Sequence, residues 1–175
     1  MSSVVEIFRG ILLLRRGPQD LPYSTQLLVS TAALGIAVQL PVAWMREISA
    51  GTVLVSAALW LAFSLGLLRL LLMMRQKTNR FVQAATAFLA CNAVFNAIGI
   101  PIALLVGDPP QTPEQMTGAQ VLAGLISLPL LIWKVAVDAH VFRHSLDISF
   151  GSGIAVALMW IFATFALASL AGTPA

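Results

Sequence analysis

Residues 51–74 read GTVLVSAALWLAFSLGLLRLLLMM, an uninterrupted apolar run whose only ionisable side chain is Arg69. About 20 such residues, wound as an α-helix, cross the roughly 30 Å of hydrocarbon in a bilayer. Working outward, residues 24–44, 81–106, 118–142 and 150–171 satisfy the same criterion. Arg46 and Glu47 separate the first span from the second, and Arg75, Lys77 and Arg80 separate the second from the third. Pro109, Pro110 and Pro113 mark the break before the fourth, which Arg143, His144 and Asp147 close. The chain therefore predicts an all-α, polytopic membrane helix bundle of about five transmembrane helices, forming one membrane domain over 1–175.

Composition supports this reading. Hydrophobic residues make up 59% of the chain and charged residues only 10%, against about a quarter charged in soluble domains. The net charge of +3 does not signal nucleic acid, because the cations sit at helix ends and form no basic face. Their placement predicts topology instead, since Lys and Arg favour cytoplasmic loops. Arg9, Arg15, Arg16, Arg75, Lys77, Arg80 and Arg143 share one side, and Arg46 alone lies on the other. The loop after the third span carries Asp108 and Glu114 and no cation. The N-terminus is expected in the cytoplasm and the C-terminus in the periplasm of a bacterial inner membrane.

Before the first span, residues 3–16 place Val4, Ile7, Phe8, Ile11 and Leu14 on one helical face. Such an amphipathic helix is expected to lie in the headgroup region, its cations facing anionic lipid; the alternative is that it packs against the base of the bundle. Gly17, Pro18 and Pro22 end it.

Ionisable and polar groups within the spans are expected to act as structural glue between helices, with a polar path as the functional alternative, and they are the candidate site residues. Lys134 and Asp138 stand one helical turn apart, and Arg69 is expected at similar depth, so the three predict a polar cluster near the cytoplasmic rim, joined by His140. Asn92 and Asn96 share a face of the third span. Pro101 and Pro129 predict kinks in the third and fourth spans. His140 and His144 have a spacing that suits a metal, yet no other histidine exists to complete a zinc or haem site. Gly151-Ser152-Gly153 has no base and oxyanion hole beside it, so no catalytic residue and no cofactor is assigned. Gly151 with Ala155, and Gly153 with Ala157, form small-xxx-small pairs that predict close helix packing.

The stretch Arg15-Arg16-Gly17-Pro18-Gln19-Asp20-Leu21-Pro22 is followed by the tightly spaced spans. The third opens on Asn79-Arg80-Phe81-Val82-Gln83. The fourth ends on Trp133-Lys134-Val135-Ala136-Val137-Asp138-Ala139-His140-Val141-Phe142-Arg143-His144. Together these features resemble small proteobacterial inner-membrane proteins of the Yip1-like type. The resemblance implies five spans, a cytoplasmic N-terminus and a role in membrane organisation, with no catalytic residues to carry over. The Asp-Leu-Tyr-Gly-Pro motif of the eukaryotic members is absent. The expected function is a non-enzymatic membrane protein, acting as a scaffold or subunit by packing against other membrane proteins or itself within the lipid bilayer. The alternative is a small transporter or channel with a polar path between its helices.

Overall fold

Ser3, Ser24, Ser49, Thr117 and Ser149 each stand just ahead of an apolar run. Each side-chain oxygen accepts the backbone N–H three residues on, at Glu6, Leu27, Thr52, Gln120 and Ser152. These caps satisfy helix-end donors that hydrocarbon could not, and each contributes about 1 kcal/mol. The computed structural model describes residues 3–106 and 116–170, which form seven α-helices and no strand. They are α1 (Val4–Leu12), α2 (Thr25–Ala37), α3 (Leu40–Met45), α4 (Ala50–Met74), α5 (Phe81–Val106), α6 (Gly118–Leu146) and α7 (Phe150–Leu170). Short 3-10 turns at Pro18–Asp20 and Thr78–Arg80 precede α2 and α5. Five segments are long and apolar enough to cross a membrane, the first being α2 and α3 together. The acidic loop around Asp108 and Glu114, and the end of the expected fifth span at 171, lie outside the described residues.

The first span is broken at Val38 and Gln39, a feature the sequence reading did not assign. Pro41 has no N–H to donate and sits in the first turn of α3, so the Ala37 carbonyl loses its i+4 donor at the break. The backbone N–H of Gln39 tightens onto the Ile36 carbonyl at 3.0 Å. Its side-chain amide takes over the Gly35 carbonyl at 3.2 Å. By contrast α5 and α6 remain helical through Pro101 and Pro129.

α6 also runs past its expected end at 142 as far as Leu146. Arg143 and His144 lie in its last turn, where cations favour the negative end of the helix dipole. Asp147 ends it in the left-handed conformation at φ 52°, which aspartate tolerates better than most residues. From there Asp147 ties two loops together. Lys77 Nζ reaches its Oδ2 at 2.6 Å and Arg80 Nη1 its Oδ1 at 3.1 Å. Arg80 also donates to the His144 carbonyl, and Arg75 to the carbonyls of Leu146 and Asp147. The cations of the α4–α5 loop thus cap the C-terminus of α6.

The hydrogen bonds from Lys77 and Arg80 hold the Asp147 carboxyl below the usual carboxylate range. A carboxyl lowered on folding adds stability that is complete above the unfolded value of about 3.9 and fades as pH falls through the folded one. Asp147→Asn is therefore expected to lower the melting temperature at pH 7, with the gap to wild type closing as the pH is taken below about 4. A gap of the same size at pH 3 and pH 7 contradicts the assignment.

The interior of the bundle is densest toward this basic end. α5 contributes Ala84, Ala85, Ala87, Phe88 and Leu89, all buried. The Phe88 ring lies 4.8 Å from Trp160, 5.7 Å from Phe142 and 6.4 Å from Trp60, centre to centre. Small residues let α7 close onto α6: a Cβ built on Gly153 meets the Ala139 carbonyl oxygen at 2.5 Å, and Ala157 is fully buried. The second expected packing pair does not take part. Gly151 and Ala155 lie one face around, exposed, with no neighbour within 4 Å of a Cβ on Gly151. Outward-facing Val29, Trp44, Leu122, Ile132 and Phe162 are exposed, as suits a fold whose solvent is hydrocarbon.

α1 is amphipathic as expected, but its apolar face turns to the bundle and not to lipid. Ile7 and Ile11 are buried in the core beside residues of α5 and α6. Trp133 Nε1 donates to the Leu12 carbonyl at 3.0 Å, and His140 Nε2 to the Arg16 carbonyl at 2.9 Å. Gln83 Nε2 holds the Leu21 carbonyl at 2.5 Å. These carbonyls lie at the last residue of α1 and in the segment that leads from it into α2, and a side chain of α5 or α6 satisfies each.

Candidate functional site

The break at Gln39 and the loose approach of α4 to α5 leave a cleft of about 780 Å³. Its walls come from α2, α3, α4, α5 and α7, with Leu131 and Lys134 of α6 at its inner end. The cleft extends from Arg46 and Thr52, beside the α3–α4 turn, to Asn92, Lys134 and Trp160 inside the bundle. Most of the lining is apolar, interrupted by Thr31, Gln39, Ser56, Asn96 and Thr164.

Lys134 lies twelve residues before the end of α6 at Leu146, about 18 Å along the axis at ~1.5 Å per residue. It is thus near the middle of α6, further from the helix end than a stop at 142 implied. Its ammonium does not extend to the basic end. It pairs with Asp138 Oδ2 at 2.5 Å and stands 5.9 Å from the centre of the Phe95 ring. The Lys134 side chain keeps 25% exposure, on the cleft, while Asp138 keeps 4%. Asp138 Oδ1 is buried without a hydrogen-bond partner among the described residues, as are Trp160 Nε1 and Ser64 Oγ.

The expected cluster therefore divides. Lys134 and Asp138 form an ion pair, as their i,i+4 spacing allows. Arg69 is not with them. It is exposed on α4, over the Phe81 ring at 5.8 Å. His140 faces the segment after α1, with the His144 ring 4.5 Å away. Among the described residues no three potential ligands gather around a metal position. Asn92 is buried and returns one amide proton to the Phe88 carbonyl at 2.9 Å, whereas Asn96 is exposed on the cleft.

Arg46, Gln39, Thr31 and Trp160 join the site without having been singled out for it by sequence. The available signal was Pro41, whose missing donor opens the first span. Cys91 is buried and outside the lining.

Chemically the arrangement offers a cation at each end of a largely apolar cleft, with amides and hydroxyls between. It offers no nucleophile with a base beside it. Comparison with protein-family models, with curated proteins and with solved structures returns no match.

Proposed function

We propose that this chain is a multi-pass protein of the bacterial inner membrane, Yip1-like in plan. The end bearing Arg75, Lys77, Arg80 and Arg143 then faces the cytoplasm, as does the N-terminus, and the C-terminus is periplasmic. The uneven distribution of Lys and Arg supports this orientation. The protein works non-enzymatically, by taking a small solute into the cleft between Arg46 and Lys134, as a transporter or the solute-binding subunit of one. One observation carries this reading. A lysine near the middle of a helix long and apolar enough to cross the membrane is exposed on a cleft and not sealed in the core, and intramembrane ions so placed mark solute paths.

The test is thiol accessibility. In a Cys91→Ala background, Asn96→Cys is expected to react with a membrane-impermeant thiol reagent from outside spheroplasts, and not in sealed inside-out vesicles. Reaction only in inside-out vesicles reverses the orientation. Absence of reaction in both preparations removes the cleft as a solute site.

A second reading, assembly through helix packing, is favoured by the exposed stripe of Gly151 and Ala155. Gly151→Leu is its clean test, because Gly153 is already committed to α6. Oligomers that survive mild extraction in wild type and dissociate in Gly151→Leu support assembly, and unchanged oligomers remove the stripe from it.

A further inference from the structure

We propose that the cleft is selective for organic anions, seating a carboxylate or phosphate group at Lys134 with an apolar body extending toward Arg46. This deepens the cleft reading above and rests on it.

Charge supports the assignment first. Among the described lining residues Arg46 and Lys134 are the only charged ones, and no Asp or Glu faces the cavity. Asp138 stands behind Lys134, one turn along α6, and occupies a single N–H of the ammonium. The donors that remain on Lys134 have no other hydrogen-bond partner among the described residues, and the side chain is open to the cleft.

Hydrogen-bond inventory supports it next. Trp160 also lines this inner end at 4% exposure, and its Nε1 is buried without a hydrogen-bond partner among the described residues. An indole N–H can only donate. The unused N–H groups of the Lys134 ammonium at this end of the cavity favour an anionic acceptor and disfavour a cation. A cation there also meets Lys134 across a medium of low dielectric, where like charges repel strongly.

Size and lining set the rest of the ligand. A cavity of about 780 Å³ falls within the range of small-molecule sites, and Trp60, Leu131, Ile161 and Phe165 give it apolar walls. An inorganic ion leaves those walls unused. Arg46 at the far end provides a cation at the level where an anion enters from water or from the headgroups.

The experiment uses the full chain in phosphatidylcholine nanodiscs, with empty nanodiscs as the partition reference. Calorimetric titration with octanoate, octanamide and octylammonium compares one body with three head charges. Octanoate is expected to bind saturably, and the other two are not. Lys134→Met is expected to weaken octanoate on the order of 10- to 100-fold, the range of a lost charged hydrogen bond. The double variant Lys134→Met/Asp138→Asn removes the pair together, keeping the test valid where the single variant folds poorly. Lys134→Arg is expected to restore part of the affinity.

Saturable octanamide or octylammonium binding equal to that of octanoate keeps the cleft and overturns its anion selectivity. So does octanoate binding that ignores both Lys134 variants. Absence of saturable binding by all three probes overturns the cleft reading as well. Competition by acetate or inorganic phosphate upholds the proposal and points to a water-soluble anion. Octanoate binding unaffected by either ion also upholds it and points to an amphiphile drawn from the bilayer.

Discussion

Lys134→Met is expected to destabilise the fold by about 3 kcal/mol, because it removes one partner of a buried ion pair and leaves the other. Asp138 has one oxygen on Lys134 and its second on nothing among the described residues, so no other group takes up the orphaned carboxylate. Asp138→Ala is expected to cost less, because the Lys134 ammonium retains its opening onto the cleft. Replacing both, as Lys134→Met/Asp138→Leu, is expected to recover most of the loss, since a packed apolar pair avoids the desolvation of two ions. Arg69→Met serves as the contrast. Arg69 lies on the outer face over Phe81, and its loss is expected to cost about 0.5 kcal/mol, the value of an exposed cation–π contact. Unfolding titrations in mixed micelles measure all four. Equal losses for Lys134→Met and Arg69→Met contradict the division of the cluster.

Gly153→Ala is expected to be nearly as damaging, at about 1–3 kcal/mol for overpacking a close contact. The atom in the way is the backbone carbonyl of Ala139 at 2.5 Å, which cannot swing aside as a side-chain end can. The whole α6–α7 contact must open to admit one methyl group. Gly151→Ala is the matched control. It adds the same methyl two residues earlier into open space, and is expected to change stability by less than about 0.5 kcal/mol. Gly153→Ala tolerated as well as Gly151→Ala contradicts this packing register.

These two glycines show where sequence reading ends. Both belonged to small-xxx-small pairs, and spacing alone assigns them equal roles. Which of them meets α6 depends on the rotation of α7, set by the turn at Asp147 and by the contact at Ala139. The five spans were legible because length and apolarity are properties of each segment alone. The Lys134–Asp138 pair was legible for the same reason, as i,i+4 is a local relation. Arg69 was misplaced because joining it to that pair required the relative depth of two helices. That depth depends on where α6 stops, and the left-handed Asp147 held by Lys77 and Arg80 was not visible from local spacing. α1 was readable as amphipathic, yet an apolar face does not say whether lipid or protein will cover it. Hydrogen bonds from Trp133 to the end of α1 and from His140 to the segment after it draw the helix onto the bundle. The cleft had one local signal, Pro41 in the first span, and that residue was read as part of a continuous helix.

On the proposed function the cleft from Arg46 to Lys134 is a solute site open to water and not a seam filled by the bilayer's acyl chains. Spin-label accessibility tests it most directly. A nitroxide at Asn96→Cys, in the Cys91→Ala protein in nanodiscs, is compared with one at Leu128→Cys, which is exposed on α6 and outside the cleft. The account predicts that the Asn96 label relaxes strongly with a water-soluble nickel chelate and weakly with oxygen, and that the Leu128 label does the reverse. A label at Asn96 that behaves like the one at Leu128 places lipid in the cleft and contradicts the account.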